Sequence, residues 1–278
     1  FILINNWFMI FFLITVLIGT TYPIFTEVLS LTKISVGPPF YNIVLVPFVI
    51  PFLILMAVGP KVRWTKNKFK NNTKFFLIII ASILLSILLI KYLKASSMIS
   101  NLIFLTSIFL IISSLIDLTK VYQKKISFEL PRILSHLGFG FLIFFIGINH
   151  NFSIEHDFNI KVGEKKKFNN YEIVFKSLNI KEKKNYKAVV GTFDVNNLKT
   201  SNYETAKPEI RIYRKPETIT YESSIRTKLT HDIYLTMSNI NRSNFYNIKF
   251  QKKPFMLWIW ISVILITLGG FLRFRKYE

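Results

Sequence analysis

The sequence contains no cysteine among its 278 residues. Disulfide bonds, thiolate metal sites and iron–sulfur clusters are therefore excluded within this chain, and any thiol chemistry has to come from other proteins. The sequence also lacks a Gly-rich phosphate loop, a Gly-x-Ser-x-Gly nucleophile elbow and a His-Glu-x-x-His zinc motif. Histidine occurs only four times. These patterns assign no catalytic residue and disfavour the common classes of soluble enzyme.

Apolar residues, in contrast, are abundant and grouped in long blocks. Hydrophobic residues make up 51% of the chain, Phe alone accounts for 28 residues, and the mean hydropathy is +0.39. A helix needs about 20 apolar residues to cross a bilayer. Six blocks approach that length and predict a polytopic α-helical membrane protein: Trp7 to Tyr22, Tyr41 to Val58, Phe75 to Leu93, Asn101 to Ile116, Ile133 to Asn149, and Phe255 to Leu272.

The net charge of +21 is concentrated at the ends of these blocks and in one polar region. Thirteen Lys and Arg residues lie in the segments 61–74 and 117–132 and after Leu272, whereas the alternate short loops hold three. The positive-inside rule therefore predicts that the basic loops and both ends of the chain are cytoplasmic. The charges form no stripe interleaved with aromatic residues, so nucleic acid is not an expected partner, whereas membrane lipid is.

The polar region from His150 to Lys253 is predicted to be a β-rich domain outside the cytoplasm. Residues 171–175 and 209–213 alternate apolar and polar side chains, and residues 188–193 are rich in β-formers. The pairs Asn169-Asn170 and Asn196-Asn197 predict turns. The expected organisation is five membrane helices in residues 1–149, the β-rich domain in 150–253, and a final helix with a basic cytoplasmic tail in 254–278.

His136 is the residue most indicative of function, because it lies inside an apolar span. An ionisable group there is costly and usually faces the bundle interior or a cavity. Imidazole is a standard axial ligand of haem iron, and the small neighbours Gly138 and Gly140 are expected to leave room for a planar group. An interhelical hydrogen bond is the open alternative. His150 lies about 21 Å further along the helix, so it cannot ligate the same haem as His136.

Two proline-containing segments predict backbone features of the second span. Pro47 and Pro51 lie inside it and predict a kink. Before it, Gly37 is expected to permit a turn, and Pro38-Pro39 to fix an extended run that precedes the helix. The remaining histidines, His156 and His231, lie in the polar region, where a surface imidazole needs no special explanation.

Several motifs, in order along the chain, resemble the CcmF family. Residues 33–42 resemble its KISVGPPYFN signature, which includes Gly37, Pro38 and Pro39. Ser135-His136-Leu137-Gly138 resembles its AHLG segment. Further similar stretches cover most of the remaining chain: Gly19-Thr20-Thr21-Tyr22-Pro23, Val58-Gly59-Pro60, Pro208 to Tyr213, Asp232 to Leu235, and Lys253 to Gly270. His231 departs from the family, which commonly has Arg there, so it is interpreted as variation and not as a ligand.

The resemblance implies a haem lyase component of cytochrome c maturation in a bacterial or mitochondrial inner membrane. Proteins of this family take haem from a haem chaperone and attach it to apocytochrome c, alongside thiol-reducing maturation partners. They also hold haem b between two histidines, and His136 matches the second. The first histidine and the tryptophan-rich haem-binding loop belong to the family's N-terminal half, which is absent from this sequence.

Two questions stay open at this point. Because the sequence starts at Phe1 without Met, we expect it to be part of a longer protein, either a fragment or one chain of a natural split protein. This segment alone is not expected to be an active lyase. A fragment of a secondary transporter is the alternative function, and a structural scaffold is a third; a haem absorption spectrum distinguishes them.

Overall fold

The computed structural model describes residues 2–30, 34–61, 73–93, 97–124, 129–200, 202–239 and 244–274. The chain divides into two compact units, one comprising Phe1–Gly147 and Ile259–Glu278 and the other Ile148–Trp258. Helices dominate the first unit and strands the second. The helices are α1 (Ile2–Ser30), α2 (Pro38–Val58), α3 (Thr73–Leu93), α4 (Met98–Lys124), α5 (Leu130–Phe152) and α6 (Met256–Phe274).

Each of the six predicted spans corresponds to one of these helices. Among the described residues, five helical stretches are long and apolar enough to cross a membrane: Leu3–Leu29, Pro38–Lys61, Met98–Thr119, Leu130–Phe152 and Met256–Arg273. The third predicted span falls on α3, whose apolar stretch Phe76–Tyr92 is shorter. Large apolar side chains along α1, such as Leu3, Val28 and Leu29, are more than 70% exposed. That exposure suits lipid, and the predicted class of membrane protein is confirmed.

The start of α2 differs from the sequence prediction. Pro38 and Pro39 are not an extended run before the helix but its first two residues. Proline suits this position because its fixed φ is helical and the first turn leaves its N–H groups unpaired anyway. Gly37 is the N-cap, with φ −110°, and so it adopts no conformation reserved for glycine. The helix continues through Pro47 and Pro51 to Val58.

Helices α2, α3, α4 and α5 share an apolar core. Leu53 and Leu110 are fully buried, and Ala57, Ile78 and Phe109 are nearly so. Buried hydroxyl groups within the helices find partners on their own helix: Ser82 Oγ donates to the Ile78 carbonyl at 2.7 Å and Ser86 Oγ to the Ser82 carbonyl at 2.6 Å. Such bonds are needed because lipid offers a polar group no partner.

Helices α5 and α6 approach closely through glycines on both sides. A Cβ atom at Gly138 would lie 2.9 Å from the Ile266 backbone nitrogen and 3.0 Å from the Ser262 carbonyl oxygen. A Cβ atom at Gly269 would lie 2.7 Å from the Pro131 carbonyl oxygen and 2.8 Å from the Ser135 nitrogen. Since these contacts involve backbone atoms, neither glycine has room for a side chain. Small residues of this kind are the usual means of packing membrane helices.

The second unit is a β-sandwich of two antiparallel sheets. One sheet has the strand order β1-β10-β9-β8, and the other has the order β2-β3-β4-β6-β7 with β5 also paired to β4. The strands are β1 (Ile154–Ile160), β2 (Lys165–Phe168), β3 (Tyr171–Glu182), β4 (Tyr186–Asn197), β5 (Asn202–Ala206), β6 (Glu209–Tyr213), β7 (Ile219–Glu222), β8 (Ser224–Thr227), β9 (His231–Asn239) and β10 (Tyr246–Pro254).

The predicted β segments lie in this sandwich as expected, with one wrong turn. Residues 171–175 begin β3, residues 188–193 lie in β4, and residues 209–213 form β6. Asn169-Asn170 is a turn, and Asn169 has φ 48°. The Asn196-Asn197 turn was wrong, because both residues end β4 and the turn follows at 198–200. Asn197 shapes it from the strand, as its Oδ1 accepts a bond from the Lys199 nitrogen at 3.0 Å.

The sandwich has an apolar core, and two of its strands also carry buried carboxylates, Asp194 on β4 and Asp232 on β9. Phe175 and Phe193 stack with ring centroids 4.1 Å apart at the centre of this core. Asp194 is 2% exposed and accepts hydrogen bonds from Tyr203 at 2.6 Å and Thr205 at 3.2 Å, and it pairs with Lys176. Burial acts to raise the pKa of Asp194, but these three partners outweigh it and hold the pKa below its usual 3.8.

We expect Gly269→Ala to destabilise the helical unit. The added methyl group meets backbone atoms of α5, so α5 and α6 must separate, at a cost of about 1–3 kcal/mol. Thermal unfolding in detergent measures the effect. Gly270→Ala is the matched control, since no described residue lies within 4 Å of a Cβ atom there. Equal melting temperatures for the two variants would contradict the close contact.

Asp194→Asn is expected to loosen the sandwich in a pH-dependent way. Because the folded pKa is depressed, the ionised carboxylate stabilises the fold above the unfolded pKa, and this stabilisation is lost as pH falls through the folded pKa. Hydrogen exchange of the β4 and β5 amides should therefore be roughly tenfold faster in the variant at pH 7. The difference should shrink as the pH falls below the usual carboxyl pKa of 3.8. Glu182→Gln, at an exposed position, is the control; a pH-independent difference would refute the explanation.

Candidate functional site

His136 lies near the start of α5, six positions after Leu130, and its side chain is half-buried. The residues on either side in the helical pattern, Ile133 and Leu137, are buried and anchor this part of α5 in the bundle. The backbone of Met56, on α2, is near enough to act on the imidazole as a hydrogen-bond partner. The charged groups of Arg132 on α5 and Asp117 on α4 are close enough to act on it. Three helices therefore define the surroundings of this ring.

Further polar groups lie near the same ends of α2 and α4. Lys61 donates a hydrogen bond to Ser113 Oγ, which in turn donates to the Ala57 carbonyl oxygen at 3.2 Å. Ser113 is 2% exposed, so this chain of bonds lies inside the helical unit. Sequence reasoning missed Ser113, Asp117 and Lys61. The available signal was polar residues at the ends of two neighbouring apolar spans.

The contacts of His136 fit those of a metal-ligating imidazole. A neutral imidazole has one nitrogen that donates and one that can ligate iron, and a ligating His commonly has its other nitrogen held by a backbone or carboxylate group. The Met56 backbone is near enough to be such a partner. The donor set near His136 is therefore compatible with haem, whose iron takes imidazole as an axial ligand.

The two glycines beside His136 do not provide the space that the sequence analysis expected. The side of Gly138 is taken by Ile266 and Ser262 of α6. A Cβ atom at Gly140 would lie 2.9 Å from the Ile111 side chain of α4. The prediction that these glycines leave room for a planar group was wrong, because both are used to bring neighbouring helices close. A planar group at His136 has to approach from another side of α5.

The other histidines are not brought to His136. His150 is exposed in the last turn of α5. His156 packs on the Phe168 ring, 4.7 Å between centroids, and lies 3.3 Å from Asn169 Nδ2. Burial, followed by the charges of Lys252 and Lys228, lowers the pKa of His231, which is therefore neutral at pH 7. Among the described residues, no group of three or more His, Asp or Glu side chains is arranged to hold a metal ion.

The signature around Gly37 has a structural role in the described residues. Pro38 and Pro39 start α2, and the Phe40 nitrogen donates to the Gly37 carbonyl at 3.1 Å. Among the described residues, a Cβ atom at Gly37 would meet only Pro39 Cδ, at 3.6 Å, so none of them excludes a side chain there. The first residue of the signature, Lys33, lies outside the described residues. None of the groups described beside His136 belongs to the signature residues 34–42.

Residues 151–254 match the family of the CcmF C-terminal beta-sandwich. The chain is 27% identical to the cytochrome c-type biogenesis protein CcmF of Haemophilus influenzae over 294 residues, and 26% identical to that of Escherichia coli over 287. These alignments cover 100% and 99% of this chain but only 45% and 44% of the relatives. The chain thus spans slightly less than half the length of the curated relatives it matches.

A solved structure agrees in fold. The structure of the cytochrome c heme lyase CcmF matches with a TM-score of 0.75 over 98% of this chain and 44% of its own, at 14% sequence identity. That likeness concerns the arrangement of the helices and of the β-sandwich. Together with the matched β-sandwich family and the alignments along nearly the whole sequence, it shows that this chain is similar to the C-terminal half of CcmF proteins.

Proposed function

We propose that this chain is part of a haem lyase of cytochrome c maturation and that His136 is an axial ligand of a haem b held among its helices. The observation that carries this proposal is the imidazole inside a membrane helix, half-buried and near the backbone of Met56. An ionisable group at such a position is costly unless it is used. The names of the relatives, which concern cytochrome c biogenesis, support the same role.

The residues around His136 have distinct tasks in this proposal. A hydrogen bond to the Met56 backbone would fix which ring nitrogen carries the proton and how the ring is oriented. Arg132 and Asp117 place one positive and one negative charge nearby. No other His lies within the membrane helices of this sequence apart from the exposed His150. The proposal therefore expects the second axial ligand from outside these 278 residues.

The bound group would supply one-electron chemistry that keeps the iron of the substrate haem reduced before attachment. The catalytic residues of attachment are not assigned within this chain. The β-sandwich serves as a docking surface for the haem chaperone, apocytochrome c or the thiol-reducing partners. Lys and Arg outnumber Asp and Glu in it, which favours encounter with acidic surfaces. Exposed Lys165, Lys166 and Lys167 on β2 also protect a sheet edge from pairing.

We further propose that the sandwich lies outside the cytoplasm, in the periplasm or the intermembrane space. The charge asymmetry of the loops supports this orientation. The segment with the most basic residues, 61–74, falls mostly outside the described residues, so the support is from the sequence. Both ends of the chain would then be cytoplasmic.

The first test replaces His136 with Ala in the full-length protein. Loss of the axial ligand should lower the haem b content by roughly tenfold or more, measured by pyridine haemochrome assay. The variants H150A, H156A and H231A are matched controls, and they should keep both haem b and cytochrome c assembly. Full haem content and an unaltered spectrum in H136A would mean that His136 is not a haem ligand and has a structural role. Loss of cytochrome c assembly in one of these control variants would contradict the proposal that the β-sandwich contains no catalytic residue.

The second test concerns the side of the membrane. Alkaline phosphatase inserted at the turn 198–200 should be active, because this enzyme folds only outside the cytoplasm, whereas an insertion at 62–72 should be inactive. A fluorescent reporter that needs the cytoplasm should give the reverse pattern. If an insertion at 198–200 were active only with the cytoplasmic reporter, the proposed orientation would be wrong.

A further inference from the structure

A cleft of about 390 Å³ lies between the first turns of α5 and the last turns of α6. It is lined by Pro131, Arg132, Ser135, Gly269, Gly270 and Arg273. Two guanidinium groups, two glycines, a serine and a proline thus surround one space. The cleft is separate from the tight α5–α6 contact at Gly138, which lies deeper along both helices.

The two adjacent glycines of α6 have different surroundings. Gly269 is needed for packing, because a Cβ atom there would meet α5 backbone atoms at 2.7 and 2.8 Å. At Gly270, which lines the cleft, no atom of the described residues lies within 4 Å of an added Cβ atom. A glycine within a helix loses stability relative to alanine, and helix packing does not require this one. Its effect is to keep the cleft wide.

The electrostatics of the cleft favour an anion. Arg132 lies in the first turn of α5, where the unpaired N–H groups and the helix dipole are also positive. Glu129 pairs with Arg132 at 2.9 Å, but a guanidinium group has five N–H donors and can bind more than one acceptor. Arg273 adds a second guanidinium from the last turn of α6. Planar guanidinium groups bind phosphate oxygens through paired hydrogen bonds.

The position of the cleft identifies the source of the phosphate. The apolar stretch of α5 begins at Leu130 and that of α6 ends at Arg273, so the cleft lies where the hydrocarbon core meets the headgroup layer. Leu268 and Phe271, on the same turns of α6, are 52% and 74% exposed and offer apolar surface to an acyl chain. A phosphate with attached acyl chains uses both features, whereas a free phosphate uses only the arginines.

We propose that this cleft binds the headgroup of an anionic phospholipid, with Arg132 and Arg273 on the phosphate. The bound lipid links the ends of α5 and α6, next to the turn that carries His136. The site is independent of the proposed function, since it requires neither haem nor an apocytochrome. Basic clefts between membrane helices are suited to anionic lipids in general.

Native mass spectrometry of the full-length protein, titrated with phosphatidylglycerol in detergent, tests the proposal. Phosphatidylcholine is the neutral probe. We expect the wild type to retain phosphatidylglycerol preferentially, and R132Q and R273Q each to retain about tenfold less. K91Q is the control for charge, because Lys91 is an exposed cation in the last turn of α3 and does not line the cleft.

A second variant fills the cleft and leaves both arginines in place. Leu at position 270 has open space for its first side-chain atom, so G270L should fold and yet lower phosphatidylglycerol retention as the arginine variants do. G59L is its control, since a Cβ atom at Gly59 is equally unobstructed and lies elsewhere. Size-exclusion profiles matched to wild type show that the variants fold.

Four outcomes would overturn the proposal. If the wild type retained phosphatidylglycerol and phosphatidylcholine equally, the lipid charge would not determine binding. Displacement of the lipid by inorganic phosphate at equal concentration would make the cleft a site for free anions. Unchanged retention in R132Q, R273Q and G270L would place the lipid elsewhere. Lower haem content in the arginine variants with unchanged lipid retention would assign the arginines to haem carboxylates.

Discussion

A polar group inside a membrane helix has to find its partner within the protein, because lipid provides none. This constraint accounts for the hydrogen bonds of the buried polar side chains in the helical unit. Ser82 and Ser86 bond to carbonyl groups of their own helix. Ser113 joins Lys61 to the Ala57 carbonyl between two helices. His136 belongs to the same set, and the nearby Met56 backbone can satisfy one of its two ring nitrogens.

The same region of α5 meets three other helices, and each contact uses a different residue. His136 reaches the backbone of α2, Gly138 admits α6, and Gly140 admits α4. The glycines therefore fix the position of the helix that carries the imidazole. Their tight contacts hold α5 at a defined depth and rotation, which is what an axial ligand requires. Glycine at these positions serves the candidate site through packing and not by leaving empty space.

The sequence could predict the fold class because its signals were long or repeated. Apolar blocks locate the helices, and alternating side chains locate β3, β4 and β6. Local details were less accessible. Pro38 and Pro39 suit an extended run and a first helical turn equally well, and only the helix that follows decides between them. Asn197 has the composition of a turn but ends a strand, because pairing with β5 extends β4 up to it.

The candidate site shows the same limit more clearly. His136 could be singled out from its apolar surroundings, but its partners could not, since Met56 and Asp117 are brought to it by helix packing across a long stretch of sequence. Gly138 and Gly140 were misinterpreted for the same reason. A small residue can indicate space for a ligand or contact with a neighbouring helix, and the sequence does not say which helix is the neighbour.

The most direct test of the account is chemical rescue of the proposed ligand. The full-length protein with His136→Gly is purified, and its haem absorption spectrum is recorded with and without added imidazole. If His136 ligates iron, the haem b spectrum should be lost in the variant and restored by imidazole, which can take the place of the deleted ring. A wild-type spectrum in the variant without imidazole would contradict the account.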